Sequence, residues 1–435
     1  MIMGILPSPC HFSCHRDDES QRGGSNHLHS ESSSVSSIFS QPSLPSVPSL
    51  ASASQRHDHE KITRAIHSKC VATFKNQSYV FTLALAGRNF LYGGSSNGEI
   101  RAWRLDCSED GDHTGNNDVV ATCNGAVKSL VVLGDKLFSA HHDNKIRVWR
   151  IHSHVHRKYK CLATLPTLND RLLRCLSEKN YVQVRRHKKR TWIHHVDTVS
   201  ALAVSTDGSL LYSASWDRTF KVWRTSDFKC VESVQNAHDD AINAIVLSKD
   251  GFVHTGSADK RIKVWKNHAG KRNKHALVST LDKHKSAVNA LALSDDGAVL
   301  YSGACDRSIL VWERESSGTT GGDDGEWRMV LLGALRGHTK AILCLAVVMD
   351  LVFSGSADRT VRVWRRSTDK NYRCLVVLEG HTRPVKCLTA AAAVEECNNN
   401  TTDREEVASE TITCMVCSGS LDYDIKVWKV SAPAF

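Results

Sequence analysis

Residues 353–364 read FSGSADRTVRVW, and residues 301–312 read YSGACDRSILVW. Both pass from a small hydroxyl residue through an Asp-Arg turn into an alternating apolar run that closes on Trp. Working outward, the same frame closes on Trp103, Trp149, Trp223, Trp265, Trp312, Trp364 and Trp428. Six residues before these stand Asn97, Asp143, Asp217, Asp259, Asp306, Asp358 and Asp422; ten before stand Gly93, Ser139, Ser213, Thr255, Ser302, Ser354 and Ser418. An upstream frame repeats as well: residues 287–297 read AVNALALSDDG and residues 198–208 read TVSALAVSTDG. Five units start on a His (His195, His238, His284, His338 and His381), each four residues ahead of Val or Ile. Alternation at period two, broken by turn residues, predicts four short strands per unit.

The seven units resemble the WD40 repeat, about 40 residues long with a Gly-His start and a Trp near the end. The resemblance covers residues 70–430. It departs uniformly at one place: Arg, Lys or Glu follows each Trp, never Asp. It implies an all-β, seven-bladed propeller over residues 65–432, in which each blade covers the face its neighbour cannot bury alone. Within a blade, His, Ser or Thr, Asp and Trp fit one hydrogen-bonded network, with Asp holding the turn and His, hydroxyl and indole N–H linked behind it. Ser, His and Asp are also the members of a hydrolase triad. Here the set recurs in five units, which favours a structural role and no catalytic residue. Units one and two depart, with Asn76 and Cys123 at the His position. The last unit ends on its Trp strand, so residues 70–74 (CVATF) are expected to complete blade seven.

Lys plus Arg total 56 and Asp plus Glu 46, a surplus of +10. Arg150–Ile193 alone holds twelve basic residues and two acids, leaving the remainder balanced at 44 against 44. A local docking surface is therefore expected, and diffuse polyanion binding is not. Residues 1–60 contain sixteen Ser and five of the eight Pro, too little apolar surface to offset ordering entropy; a disordered tail is expected. Cys10 and Cys14 lack a second ligand pair at zinc spacing, so neither metal nor cofactor is expected. Fifteen scattered Cys and the lack of any 18-residue apolar run point to a cytoplasmic or nuclear chain without a membrane span.

Two insertions interrupt the repeat. Residues 166–193, between blades two and three, place Leu168, Leu172, Leu173 and Leu176 on one stripe of a short helix. Thr167 and Asp170 form a capping-box pattern there. A basic strip follows, with Arg185, Arg186, Lys188, Lys189 and Arg190 flanked by Tyr181 and Trp192. Residues 392–411, in blade seven, form an acidic loop expected on the opposite face. The family resemblance implies that Tyr79, Phe81, His142 and Trp216 line the top of the ring. Together with the strip they are the expected partner-binding residues.

The reading that follows is a non-catalytic, monomeric scaffold binding proteins through its top face and basic insertion. The insertion also looks like that of the plant JINGUBANG-like group of WD40 proteins, which implies a regulator of transcription or signalling. Two alternatives come from other classes. A cullin ubiquitin-ligase adaptor would carry Asp-x-Arg after a blade Trp, which is absent. An RNA-binding propeller would show steep salt dependence, but the balanced charge outside the insertion disfavours nucleic acid.

Overall fold

The computed structural model describes residues 47–50, 66–87, 89–105, 117–151, 159–185, 188–268, 274–315, 328–367, 369–393 and 411–433. Its strands form seven four-stranded antiparallel sheets and one separate two-stranded hairpin. In blade five the order is Val288–Leu293, Val299–Ala304, Ile309–Arg314 and Met329–Leu335, from inner to outer edge. Blades one to six each run consecutively in the same way. Blade seven takes three strands from the C-terminus and its outer strand, His67–Lys75, from the N-terminal side. The register pairs His67 with Ser431 and Lys75 with Asp424, so the ring closes within one sheet.

Alternation along each strand puts one apolar set against the preceding blade and the other against the following one, so the core lies between blades. At the seam of blades five and six, Tyr301, Val311, Ile342, Val352, Trp364 and Tyr372 form one buried cluster. Each such side chain contributes about 1.5–3 kcal/mol by leaving water. The Tyr301 and Tyr372 hydroxyls meet at 2.9 Å, and Glu313 pairs with Arg366 and Lys370 across the same seam.

The Asp turns follow from local chemistry. Asp217 Oδ1 accepts the Thr219 N–H at 3.0 Å and Oδ2 accepts the Val196 N–H at 2.9 Å. These bonds hold the next residue in the left-handed region: Arg218, Lys260, Arg307 and Arg359 have φ of 66°, 73°, 69° and 75°. That conformation costs a non-Gly residue about 1–2 kcal/mol, and the Asp bonds offset it.

Two expectations are corrected. Most of the segment read as a disordered tail, residues 1–60, lies outside the described residues. Residues 47–50, however, are strapped to the propeller. Leu50 N–H donates to Ala334 O and Ala334 N–H to Pro48 O, both at 2.9 Å, a parallel bridge on blade five's outer strand. Tyr372 N–H of blade six then donates to Leu50 O at 3.2 Å. Val47 packs on the cluster between blades four and five and Leu50 on that between blades five and six, an apolar pair that composition alone did not reveal. The strap fits because residue 333 is Gly: a Cβ there would lie 2.6 Å from Leu50 Cγ and 2.8 Å from Pro48 O. In the acidic loop, Ala392, Ala393 and Thr411 are strand residues, because the Val385–Ala393 and Thr411–Ser420 pair extends past the usual blade edge. Residues 394–410 lie outside the described residues.

Candidate functional site

The repeated polar residues meet as networks in five blades. His195 Nδ1 lies 2.9 Å from Asp217 Oδ2 and its Nε2 2.8 Å from Ser213 Oγ, which accepts the Trp223 indole N–H at 2.9 Å. The same geometry joins His238, Asp259, Thr255 and Trp265, and likewise His284, Asp306, Ser302 and Trp312. It recurs in His338, Asp358, Ser354 and Trp364, and in His381, Asp422, Ser418 and Trp428. With Nδ1–H donating to Asp, Nε2 accepts the hydroxyl proton, and the chain of donors closes. All five hydroxyl residues are fully buried, so none offers a nucleophile to a substrate.

Blade two reaches a similar network by a route that the spacing did not show. Cys123 holds the usual His position, but His141, two residues after Ser139, turns its Nε2 to within 2.8 Å of Ser139 Oγ. That oxygen accepts the Trp149 N–H at 2.8 Å, while Asp143 pairs with Arg147 instead. Blade one has Gly93 and uses Asn76, whose Nδ2 donates to Ser95 Oγ at 2.6 Å.

The expected top-face residues split into two groups. Phe81, His142 and Trp216 gather around Lys128, a residue not singled out from the sequence. Its Nζ lies 4.3 Å from the Phe81 ring centre and 5.4 Å from that of Trp216, and His142 meets Trp216 edge-on. Burial, with a smaller contribution from Lys386, pushes the Lys128 ammonium down to about 8. Tyr79 instead packs on Tyr423, at 5.2 Å between rings.

The insertion folds as a helix, Leu168–Cys175, a single turn at Glu178–Asn180, and a hairpin of Tyr181–Arg185 with Lys188–Thr191. Arg185, Lys188, Lys189 and Arg190 thus sit on hairpin strands, and Arg186 falls outside the described residues. Thr167 Oγ1 caps the helix by accepting the Asp170 N–H at 3.2 Å. The helix is docked by its polar side. Asp170 is buried; it accepts the Cys230 N–H at 3.1 Å and the Arg174 Nε–H at 2.9 Å, while Arg174 donates to Cys230 O. Acid and base thus satisfy both backbone groups of Cys230 on blade three's outer strand. Arg174 also stacks on Trp192 at 4.2 Å, which removes that ring as a free flank of the basic strip.

The leucine stripe consequently faces solvent: Leu168, Leu172, Leu173 and Leu176 are 71%, 63%, 68% and 88% exposed. Between this helix, the hairpin and blade two's Asp turn lies a groove of about 1070 Å³. Leu168, Leu172, Tyr181, Arg171, Arg190 and Lys145 are among its lining residues. Among the described residues, no group of three His, Cys, Asp or Glu side chains is placed to hold a metal ion, and no helix is long and apolar enough to cross a membrane.

Seven four-stranded blades, a Trp-closed repeat and a decorated rim define the class: the chain is a seven-bladed β-propeller. The family model described as WD domain, G-beta repeat matches residues 186–224, 228–266, 275–313 and 329–365. The chain is 30% identical over 229 residues to Protein ROOT INITIATION DEFECTIVE 3 of Arabidopsis thaliana, covering 49% of each chain. It is 32% identical over 93 residues to Pre-mRNA-processing factor 19 homolog 2 of Arabidopsis thaliana, covering 21% of this chain and 15% of that one. These alignments span half or less of either relative. Among solved structures, the WD40 beta propeller domain of Doa1 shares the fold, with a TM-score of 0.57, 20% identity, and coverage of 83% of this chain and 96% of that one.

Proposed function

We propose that this propeller is a non-catalytic scaffold that engages partner proteins through its top face and the basic insertion. One observation carries the reading: a helix whose four leucines point to solvent while its Asp170 is buried in the fold and paired with Arg174. Monomeric soluble proteins seldom expose contiguous apolar surface unless something covers it. The Phe81, Lys128, His142 and Trp216 cluster adds an aromatic anchor of the kind that dominates protein interfaces. On this reading the chain works in the cytoplasm or nucleus as a plant regulator of transcription or signalling, akin to the JINGUBANG-like group. The Arabidopsis relatives support the plant assignment. The RNA-binding alternative is weakened because Trp192, one of two rings flanking the strip, stacks on Arg174.

The test is a quantitative comparison of proteins co-purified from plant extract with the full chain and with a variant in which the four leucines are changed to Ser. The exposed positions let the variant keep its fold. A partner set lost in the variant supports the scaffold role of this surface. An unchanged set overturns it.

A further inference from the structure

We propose that the groove beside the insertion helix receives an acidic amphipathic segment of a partner protein. Its apolar side lies on Leu168, Leu172 and Tyr181, and its carboxylates face Arg171, Arg190 and Lys145. The inference rests on the scaffold reading and specifies the chemistry of the partner.

Shape and charge both point this way. The groove is about 1070 Å³, and two helical turns along its wall run about 12 Å. That length suits a short helix or extended segment.

The charge is unbalanced in the same place. Asp143, a carboxylate at the rim, is held by Arg147 through both oxygens. Asp170 is buried on Arg174 and Cys230. Arg171, Arg190 and Lys145 have no carboxylate within ion-pair distance among the described residues. The field they make is felt by His194, also on the lining. Burial pushes its imidazole down to about 4, and Arg171 and Arg190 push in the same direction. A basic partner would meet this field unfavourably. A phosphate backbone would satisfy the cations and leave the leucines wet. An acidic amphipathic segment satisfies both.

Fluorescence anisotropy on the full chain tests the proposal with three probes. Two are synthetic peptides of about four helical turns with leucines at i, i+3, i+4 and i+7, one filled with Glu and the other with Lys. The third is a single-stranded RNA oligonucleotide. The acidic peptide is expected to bind at least about tenfold tighter than the basic one, and more weakly as salt rises from about 50 to 200 mM. Leu168→Ser with Leu172→Ser should weaken it about tenfold or more. Arg171→Glu with Arg190→Glu should remove the preference for acid, with melting temperature unchanged in both variants. Equal binding of the two peptides, indifference to charge reversal, or tighter binding of RNA that is lost on reversal would overturn the proposal. Should the leucine variants lose partners from extract while the acidic peptide does not bind, the docking surface stands and its assignment to an acidic partner falls.

Discussion

In blade five the Ser302 hydroxyl sits at the centre of a chain of donors: it accepts from Trp312 and gives its proton to His284, which donates to Asp306. Removing it leaves an indole N–H and an imidazole nitrogen unpaired in the core. Ser302→Ala is therefore expected to cost about 1–3 kcal/mol, read as a lower urea midpoint. Ser302→Thr should lose less, since Thr255 makes the same bonds in blade four. If both variants melt like the parent, the network contributes nothing to stability. Acid should act in two stages. Burial holds His141 and His254 near 4, below the ordinary 6.5, so both fold neutral and the unfolded chain gains protons first. Stability should fall as pH drops from about 6.5 toward 4. Burial alone would raise Asp259, but its bond to His238 and the turn amides outweigh that and hold it at about 2. Its contribution is present above the unfolded value near 3.8 and is lost between there and about 2. Urea midpoints across pH 7 to 3 check the profile, and His254→Asn should flatten the first stage. The spacing of Asp, hydroxyl and Trp made these side chains visible in the sequence, because identical turns fix identical offsets. His141 was not visible: it lies two residues after Ser139 on the same strand, at an offset where the other units carry Ser or Ala, so the repeat did not mark it as a substitute for the missing His.

At the scale of elements, the sequence showed where a helix forms but not which way it faces. Leucines at i, i+4, i+5 and i+8 define a stripe, and a stripe ordinarily packs inward. Here the free backbone groups of Cys230 compete for the helix, and the buried Asp170 with its partner Arg174 satisfies them and turns the stripe outward. The strap at residues 47–50 was equally illegible, since four residues in a Ser- and Pro-rich stretch carry no period. Its signature lies in its receiver, Gly333. Gly333→Val would push a side chain into Leu50 and the Pro48 carbonyl. The expected outcome is a propeller that still folds but is cleaved by protease near residue 50 much faster than the parent. Equal cleavage rates would show that the strap does not protect this segment.

Across the whole molecule, the repeat count and the missing outer strand of the last unit made the ring legible. The +10 surplus resolves to Arg150–Ile193, the end of blade two together with the insertion, on an otherwise balanced body. Ring closure depends on the His67–Lys75 strand, whose side chains join blade seven to blade one: Val71 and Phe74 pack with Trp103 and Val427, and the Phe74 and Trp103 rings stack at 6.1 Å. What closure requires is the strand, not its place at the N-terminal end. Because His67 pairs with Ser431 in an antiparallel register, residues 66–75 moved to follow residue 433 through a short turn would enter the same slot at the same end and in the same direction. Hairpin connections of two to five residues span such a gap. Deleting residues 66–75 should lower the melting temperature sharply and expose the Asp424–Pro433 edge to aggregation. The relocated strand should restore most of the loss, because closing a short hairpin costs less chain entropy than closing a ring of more than 350 residues (about 4 kcal/mol less by loop length alone). A relocated variant as unstable as the deletion would mean that the N-terminal attachment itself, with the strap behind it, holds the propeller shut.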